Sequence, residues 1–215
     1  MPWTFPRIYP ILDASQIPLT GRDERLRRLG AALTDAGVTL LEYRNKSGPD
    51  TQIRADAEAL RAAMPTGVVK LILDDRAELV DGVDFDGVHV DAGDVTVSEA
   101  RRLVGHSGIV GTFGGGETLI PGILSEPADY FAIGPVFTTT TKQTDKRPIG
   151  LEGVRRLCYQ AGQGVILTAA AGITLETAGA VLEAGASAVA VSAAIFRAAD
   201  PAAEFRQWRS ALGVD

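Results

Sequence analysis

Short apolar runs rich in β-branched residues recur along the chain, and stretches with helical spacing separate them. The runs predict eight strands, at residues 9–13, 38–44, 68–74, 87–91, 109–113, 130–134, 164–169 and 188–192. In the first intervening stretch, Leu26, Leu29 and Leu33 recur every three or four residues, and Gly37 offers a stop. Eight strands that alternate with helices over 215 residues are typical of an α/β protein of the (β/α)8 TIM-barrel class.

This alternation runs through the chain without a linker, so we predict a single (β/α)8 barrel domain over residues 1–215. We place helix starts at Thr96, Thr174 and Asp200, because threonine and aspartate cap helices well. The segment after the fifth strand is the least regular, since three glycines begin it and Pro121-Gly122 interrupts its helical pattern. A doubly wound open sheet is the alternative fold, although it usually needs fewer units.

Composition narrows the function classes. The formal net charge of −6 argues against a general nucleic-acid binder or a protein of anionic membranes, but it allows a local basic pocket. The single cysteine, Cys158, permits no intrachain disulfide and fits a reducing compartment. The N-terminus carries no secretory signal pattern, and no window of about 18 apolar residues predicts a membrane span. We therefore expect a cytoplasmic protein and leave a homo-oligomer open.

The barrel fold itself selects candidate site residues, because active sites of such barrels lie at the C-terminal ends of the strands. Cations after strands 2 and 6 are suited to bind several phosphate oxygens, although each taken alone also fits a solvated loop charge. They are Arg44, Lys46 and Lys142. Asp75 and Asp94 follow strands 3 and 4, where two carboxylates beside an anion pocket suit Mg²⁺. Their structural alternatives are a helix N-cap for Asp75 and a turn position for Asp94.

The loops after strands 7 and 8 are a further candidate region, because many barrels bind phosphate there through backbone N–H groups. Gly172 follows strand 7, and Ser192-Ala193 follows strand 8. A tight strand-to-helix connection explains one such glycine equally well. His89 lies inside strand 4, where an interior position is the better interpretation, and no zinc cluster or Ser-His-Asp set is apparent.

Several of these segments resemble the thiamine phosphate synthase family over residues 9–201. The most specific part is the run Gly134-Pro135-Val136-Phe137 with its four threonines and Lys142, followed by Pro148-Ile149-Gly150-Leu151. It is similar to the family's GP-[VI]-F-x-T-x-T-K segment and its P-x-G-L. Further similar segments are Tyr43-Arg44-Asn45-Lys46, Leu73-Asp74-Asp75-Arg76, Gly87-Val88-His89-Val90 with Asp94, Gly172-Ile173, and the last strand with Asp200-Pro201.

The resemblance implies a Mg²⁺-dependent transferase of thiamine biosynthesis. Such an enzyme joins 4-amino-5-hydroxymethyl-2-methylpyrimidine diphosphate to a thiazole phosphate, giving thiamine phosphate and pyrophosphate. It implies that Arg44, Lys46 and Lys142 hold the diphosphate and that Asp75 and Asp94 bind the metal. It also implies the substrate-binding residues Glu42, Asp74, Phe113, Thr139, Thr140, Thr141, Gly172, Ser192 and Ala193.

Some positions depart from the family pattern. Glu42 replaces the family's glutamine before the R-x-K pair, Asp74 replaces an asparagine, Ala92 replaces a glutamine, and Phe113 lies in the family's S-x-H or S-x-T stretch. A thiazole tautomerase of the same fold is less well matched, because no histidine follows strand 5. Two alternatives therefore stay open: a diverged paralogue that binds a phosphorylated ligand without coupling, and a non-catalytic barrel that binds a partner.

Overall fold

Eight parallel strands form a closed barrel in which each strand pairs with its neighbours in chain order and β8 pairs with β1. The structure is a computed structural model that describes residues 4–139 and 147–214. The strands are β1 Ile8–Asp13, β2 Leu40–Arg44, β3 Lys70–Asp74, β4 Gly87–Val90, β5 Ile109–Gly115, β6 Tyr130–Ile133, β7 Leu167–Ala170 and β8 Ala188–Val191. The predicted barrel class is confirmed, and every predicted strand is present within a few residues of its expected bounds.

Helices surround the barrel. They are α1 Arg22–Asp35, α2 Asp50–Ala63, α3 Val97–Val104, α4 Gly150–Ala161, α5 Leu175–Glu183, α6 Ala193–Phe196 and α7 Pro201–Ala211. The predicted caps are confirmed: Thr96 accepts from the backbone of Glu99, Thr174 forms a capping box, and Asp200 accepts from two backbone N–H groups of α7. In the described ranges, no helix is long and apolar enough to span a bilayer.

Two connections differ from the expected strand–helix alternation. A 3₁₀ helix, Ala77–Val83, follows β3, and only a short 3₁₀ turn, Ile123–Ser125, lies between β5 and β6. Gly122 adopts φ 78° directly after Pro121, so the chain turns where an α-helix would have to continue. The prediction of a helix after every strand is therefore wrong for β5, at the segment that was least regular in sequence.

The barrel interior is packed at its N-terminal end and open at its C-terminal end. Buried interior side chains form one layer that includes Tyr9, Leu40, Ile72, Ile109 and Tyr130. Alternate strand residues point outward and join the larger core under the helices, as the two-residue period of a strand requires. The filled layer thus forms a floor, and the C-terminal ends of the strands form a mouth above it.

A charged cluster ties β3 to the segment before β4 at the N-terminal end, and we call it the basal cluster: Arg61, Lys70 and Asp86. Asp86 accepts from Arg61 at 2.6 Å, from Lys70 at 2.7 Å and from the backbone N–H of Leu71 at 2.9 Å. Although burial opposes ionisation, these hydrogen bonds lower the pKa of Asp86. Both oxygens of this carboxylate therefore have donors, which is what a structural ion pair requires.

Candidate active site

A cavity of about 590 Å³ opens at the C-terminal ends of the strands, and residues from all eight strands contribute to its lining. This is the end of the barrel at which the fold predicts an active site. Of the residues predicted from sequence to form a site, the cavity lining includes Glu42, Arg44, Asp74, Phe113, Thr139, Gly172, Ser192 and Ala193. Lys46, Asp75 and Asp94 are outside this lining. Lys46 contacts Asp74 of the lining and also Asp75, and Asp94 interacts with Asp75.

Arg44 and Lys46 lie on one side of the mouth, and both already have carboxylate partners. Arg44 Nε is 3.0 Å from Asp74 Oδ2, and Arg44 Nη1 donates to Asp13. Lys46 Nζ donates to Asp75 and is 3.8 Å from Asp74 Oδ2. The two cations therefore sit side by side above β2 and β3, held by carboxylates that an entering anion would have to replace.

Carboxyl groups outnumber these cations in the described mouth. The six whose charge acts on Arg44 or Lys46 are Asp13, Glu42, Asp74, Asp75, Asp91 and Asp94. Burial and then the negative charge of Glu42 raise the pKa of Asp74 to about 8, and burial also raises the pKa of Glu42. Asp74 therefore holds a proton over much of the neutral range, and a cation that binds beside it can take the place of that proton.

Asp75 and Asp94 form a pair at the rim, in the arrangement predicted for a metal. Burial and the neighbouring Asp75 carboxyl raise the pKa of Asp94. Burial acts in the same direction at Asp75, but the hydrogen bond with Asp94 and the contact with Lys46 outweigh it and lower the pKa of Asp75. The two carboxyl groups therefore interact directly, and their pKa values shift in opposite directions. Asp75 Oδ1 is buried and has no hydrogen-bond donor among the described residues, so a divalent cation fits there.

The helix-cap alternative for Asp75 is wrong. Arg76 occupies the cap position of the following 3₁₀ helix, while Asp75 adopts φ 60° and points its carboxylate at Lys46. Asp94 does take the turn role as well, because its Oδ2 accepts from the backbone N–H of Asp91 at 2.8 Å. No group of three or more histidine, cysteine or acidic side chains is arranged for a metal in residues 4–139 and 147–214, so these two carboxylates need ligand oxygens to complete a coordination shell.

The floor of the cavity carries a chain of hydrogen bonds that sequence reasoning did not find. Tyr9 Oη donates to Glu42 Oε2 at 2.6 Å, Tyr9 Oη lies 2.7 Å from Tyr130 Oη, and Tyr130 Oη lies 3.0 Å from His89 Nδ1. The interior position expected for His89 is confirmed. Burial alone would lower the pKa of His89, but Asp91 and Glu42 outweigh that effect and raise it to about 9. Period-two spacing marks Tyr9 and Tyr130 as strand residues, but it does not show that they meet.

The opposite side of the mouth is formed by the loops after β6, β7 and β8. Gly172 has φ 70°, and a Cβ there would lie 2.5 Å from the carbonyl oxygen of Thr138, so only glycine fits without strain. Ser192 Oγ accepts from Gln16 Nε2 at 3.2 Å, and α6 begins at Ala193. Thr139 also lines the cavity, whereas Thr140, Thr141 and Lys142 lie outside the described residues.

Comparison with known proteins agrees with this architecture. The family model described as thiamine monophosphate synthase matches residues 8–195. The chain is 36% identical over 209 residues to the thiamine-phosphate synthase of Agrobacterium fabrum, covering 96% of this chain and 93% of the relative. It is 34% identical over 208 residues to the thiamine-phosphate synthase of Chloroflexus aurantiacus, covering 97% and 93%.

A solved structure with the same fold is the thiamine phosphate pyrophosphorylase of Pyrococcus furiosus. It has a TM-score of 0.76 and 24% sequence identity, and the match covers 96% of each chain. The orotidine 5'-phosphate decarboxylase of Pyrococcus horikoshii has a TM-score of 0.65 at 14% identity, so the fold extends well beyond one activity. Taken with the family match over residues 8–195 and the near full-length relatives, these findings show that the chain belongs to the thiamine monophosphate synthase family.

Proposed function

We propose that the protein is a thiamine phosphate synthase. It joins 4-amino-5-hydroxymethyl-2-methylpyrimidine diphosphate to a thiazole phosphate and releases pyrophosphate. The observation that carries this proposal is the meeting of two cations, Arg44 and Lys46, with the Asp75–Asp94 pair beside one cavity. A leaving diphosphate requires both kinds of group at one place, because the charge on its oxygens grows as the carbon–oxygen bond breaks.

The carboxylates have the chemistry that Mg²⁺ prefers. Asp75 and Asp94 would hold the ion, with diphosphate oxygens as further ligands, and the ion would supply neutralising charge to the leaving group. Asp75 would then give up its contact with Lys46 in part, since a divalent ion competes for the same oxygens. Dependence on magnesium is part of the proposal.

Arg44 and Lys46 bind the diphosphate directly in this proposal. They change partners as the substrate enters, from Asp13, Asp74 and Asp75 to phosphate oxygens. Asp74 tolerates that loss because its raised pKa already keeps it protonated over much of the neutral range, so it does not depend on the charge of the cations. The site therefore admits an anion without leaving a bare buried carboxylate behind. By the resemblance, Lys142 adds a third cation.

The two rings occupy the remaining space. The pyrimidine lies toward Glu42, Asp74 and Phe113, and the thiazole phosphate lies toward Gly172 and Ser192-Ala193. Thr139 lines the cavity on the phosphate side, and the resemblance implies a substrate-binding role for Thr140 and Thr141 as well. The apolar part of the lining packs against the ring faces and excludes water; it comprises Ala132, Ile133, Ala170 and Ala190. The pyrimidine carbon that loses the diphosphate is therefore captured by the thiazole nitrogen rather than by water. Such a reaction on phosphorylated small molecules suits the cytoplasm.

Coupling by the purified full-length chain tests the proposal. We expect thiamine phosphate and pyrophosphate to form in equal amounts from the two substrates with Mg²⁺, and we expect EDTA to stop the reaction. Asp75→Asn should lose coupling while keeping the fold. Glu204→Gln on α7 should keep coupling, because Glu204 does not line the cavity and a glutamine can still accept from Trp208.

Absence of thiamine phosphate at high enzyme concentration would defeat the proposal. If a substrate then still raises the melting temperature, the diverged ligand-binding alternative replaces it. If neither substrate does so, the partner-binding alternative replaces it.

A further inference from the structure

We propose that Tyr9 and Tyr130 are positioning residues for the coupling reaction, acting through Glu42. Their hydroxyl pair fixes the carboxyl of Glu42 at the cavity floor and so sets the affinity for one of the two substrates, the pyrimidine diphosphate. This inference rests on the proposed function and deepens it. It assigns a role to two buried tyrosines that touch neither the cations nor the Asp75–Asp94 pair.

The geometry places the two hydroxyls between strands on opposite sides of the barrel. Tyr9 is on β1 and Tyr130 on β6, 121 residues apart in the chain, yet their oxygens are 2.7 Å apart. Tyr9 holds Glu42 of β2 at 2.6 Å, and Tyr130 reaches His89 of β4 at 3.0 Å. Four strands are therefore joined by three hydrogen bonds directly beneath the cavity, in a region where water does not compete for them.

The direction of the hydrogen bonds follows from the supply of protons. Each tyrosine hydroxyl has one hydrogen to donate. Because Tyr9 donates to Glu42 Oε2, the oxygen of Tyr9 accepts from Tyr130, and the oxygen of Tyr130 accepts from His89 Nδ1. The other nitrogen of His89, Nε2, is 3.7 Å from Asp91 Oδ1. Removal of the Tyr9 hydroxyl takes away the donor to Glu42, and removal of the Tyr130 hydroxyl takes away the donor that orients Tyr9, so the orientation of Glu42 is lost in the first case and weakened in the second.

The two rings are held so that the hydroxyls have little freedom to move. Tyr9 and Tyr130 pack edge to face, with centroids 5.5 Å apart, and Phe5 closes over both from below at 5.6 and 4.9 Å. Gly111 on β5 makes the space for Tyr130, because a Cβ at this glycine would lie 2.0 Å from Tyr130 Cζ. Packing therefore predetermines where the Glu42 carboxylate stands before a ligand arrives.

A fixed carboxyl group beneath an apolar cavity recognises a ring through a directed hydrogen bond. The pyrimidine carries an exocyclic amine, which needs an acceptor at a defined place, whereas the thiazole phosphate binds on the far side of the mouth. If Glu42 is no longer held in place, binding of the pyrimidine diphosphate should weaken and binding of the thiazole phosphate should not change. If the tyrosines only stabilised the fold, their replacement would weaken the binding of both substrates alike.

Steady-state kinetics with each substrate varied in turn tests the inference. Tyr9→Phe should raise the KM for the pyrimidine diphosphate about tenfold, with the KM for the thiazole phosphate within about twofold of wild type. Tyr130→Phe should shift the same constant in the same direction by a smaller factor, since Tyr9 can still donate to Glu42. Thr112→Val is the matched control, because it removes another buried hydroxyl bond, to Val90, and should move neither KM.

A double-mutant cycle tests whether the tyrosines act through Glu42. In a Glu42→Ala background, Tyr9→Phe and Tyr130→Phe should have no further effect on the KM for the pyrimidine diphosphate. Additive effects, equal changes in both KM values, or wild-type constants in Tyr9→Phe would each overturn the inference. Failure of the wild-type chain to make thiamine phosphate would instead defeat the proposed function, so the two outcomes are separate. If Tyr9→Phe does not fold, Tyr130→Phe decides the question alone.

Discussion

Charged side chains cluster near both ends of β3, but the carboxylates of the two clusters differ in their hydrogen bonding and in the direction of their pKa shifts. At the N-terminal end, Asp86 takes donors from Arg61, Lys70 and a backbone N–H, and its pKa is lowered. At the C-terminal end, Asp74 is buried beside Arg44 and Lys46, but its Oδ2 makes no hydrogen bond of good geometry with residues 4–139 or 147–214, and its pKa is raised to about 8. Both carboxylate oxygens of Asp86 therefore have hydrogen-bond donors, whereas Asp74 Oδ2 has none among the described residues.

This difference separates a structural ion cluster from a binding site. A buried charge is stable only when its hydrogen-bonding groups find partners, so a cluster that lacks them is costly unless a ligand supplies them. The mouth has more carboxyl groups than cations among the described residues, and within the same part of the chain a buried Asp75 oxygen has no donor. A metal-bound diphosphate supplies positive charge to the carboxylates and acceptors to the cations. The basal cluster needs neither.

Lysine replacement should give the largest contrast between the two ends. Lys46→Ala should lower kcat/KM for coupling about 1,000-fold, about 4 kcal/mol of transition-state stabilisation, because a cation beside the leaving diphosphate is lost. Lys70→Ala at the basal cluster should leave kcat/KM unchanged and cost about 1 kcal/mol or less in the free energy of unfolding. Steady-state kinetics and urea denaturation measure both. Equal kinetic losses in the two variants would contradict the assignment of the mouth.

Asp86→Asn should give the reverse pattern. Arg61 would lose its closer carboxylate partner in a largely buried setting and keep only Asp84 at 3.7 Å, so the free energy of unfolding should fall by about 3 kcal/mol. Coupling per folded molecule should not change, because Asp86 lies at the opposite end of the barrel from the cavity. Denaturant unfolding combined with kinetics on the folded fraction checks this. A large fall in kcat with wild-type stability would show that the basal cluster takes part in the reaction.

Gly172→Ala should disturb only the phosphate side of the mouth. The backbone at φ 70° disfavours a side chain, and the added Cβ would lie 2.5 Å from Thr138 O, so the loop must shift. We expect the KM for the thiazole phosphate to rise about tenfold while the KM for the pyrimidine diphosphate stays near its wild-type value. Gly179→Ala, where the Cβ meets no atom within 4 Å, is the control and should be silent. A selective loss of pyrimidine diphosphate affinity in Gly172→Ala would place the two substrates the other way round.

The pH dependence of stability should distinguish the basal cluster further. The folded-state pKa of Asp86 is below its ordinary value of 3.8, so its stabilising effect is present above that value and is lost as pH falls through the folded pKa. The difference in unfolding free energy between wild type and Asp86→Asn should therefore be largest near neutral pH and shrink in acid. Urea titrations across this range measure it. A difference that is independent of pH would mean that the charge of Asp86 contributes nothing.

Local sequence signals were sufficient for the barrel itself. Runs such as Lys70–Asp74 are β-rich and are followed by turn or cap residues, so the strands and most helices could be located from spacing alone. The connection between β5 and β6 could not, because Pro121-Gly122 breaks a helical pattern that otherwise continues. The position of the mouth then followed from the fold.

The candidate site was predicted unevenly for a physical reason. Arg44, Lys46 and Asp75 follow strand ends, where chain position alone determines location. Whether Asp75 caps a helix or contacts a lysine depends on a single backbone angle that no pattern reveals. The Tyr9–Tyr130 contact depends on closure of the barrel, so residues far apart in the chain meet only in the folded protein.

Calorimetric titration of pyrophosphate tests the central claim most directly, because it asks whether the unsatisfied mouth is completed by a diphosphate and a divalent cation. The account predicts that pyrophosphate binds the wild-type chain in the presence of Mg²⁺ and far more weakly in EDTA. It predicts that Lys46→Ala and Asp75→Asn lose this binding and that Lys70→Ala and Asp86→Asn retain it. Equal affinity with and without Mg²⁺, or equal binding by the mouth and basal variants, would contradict the account.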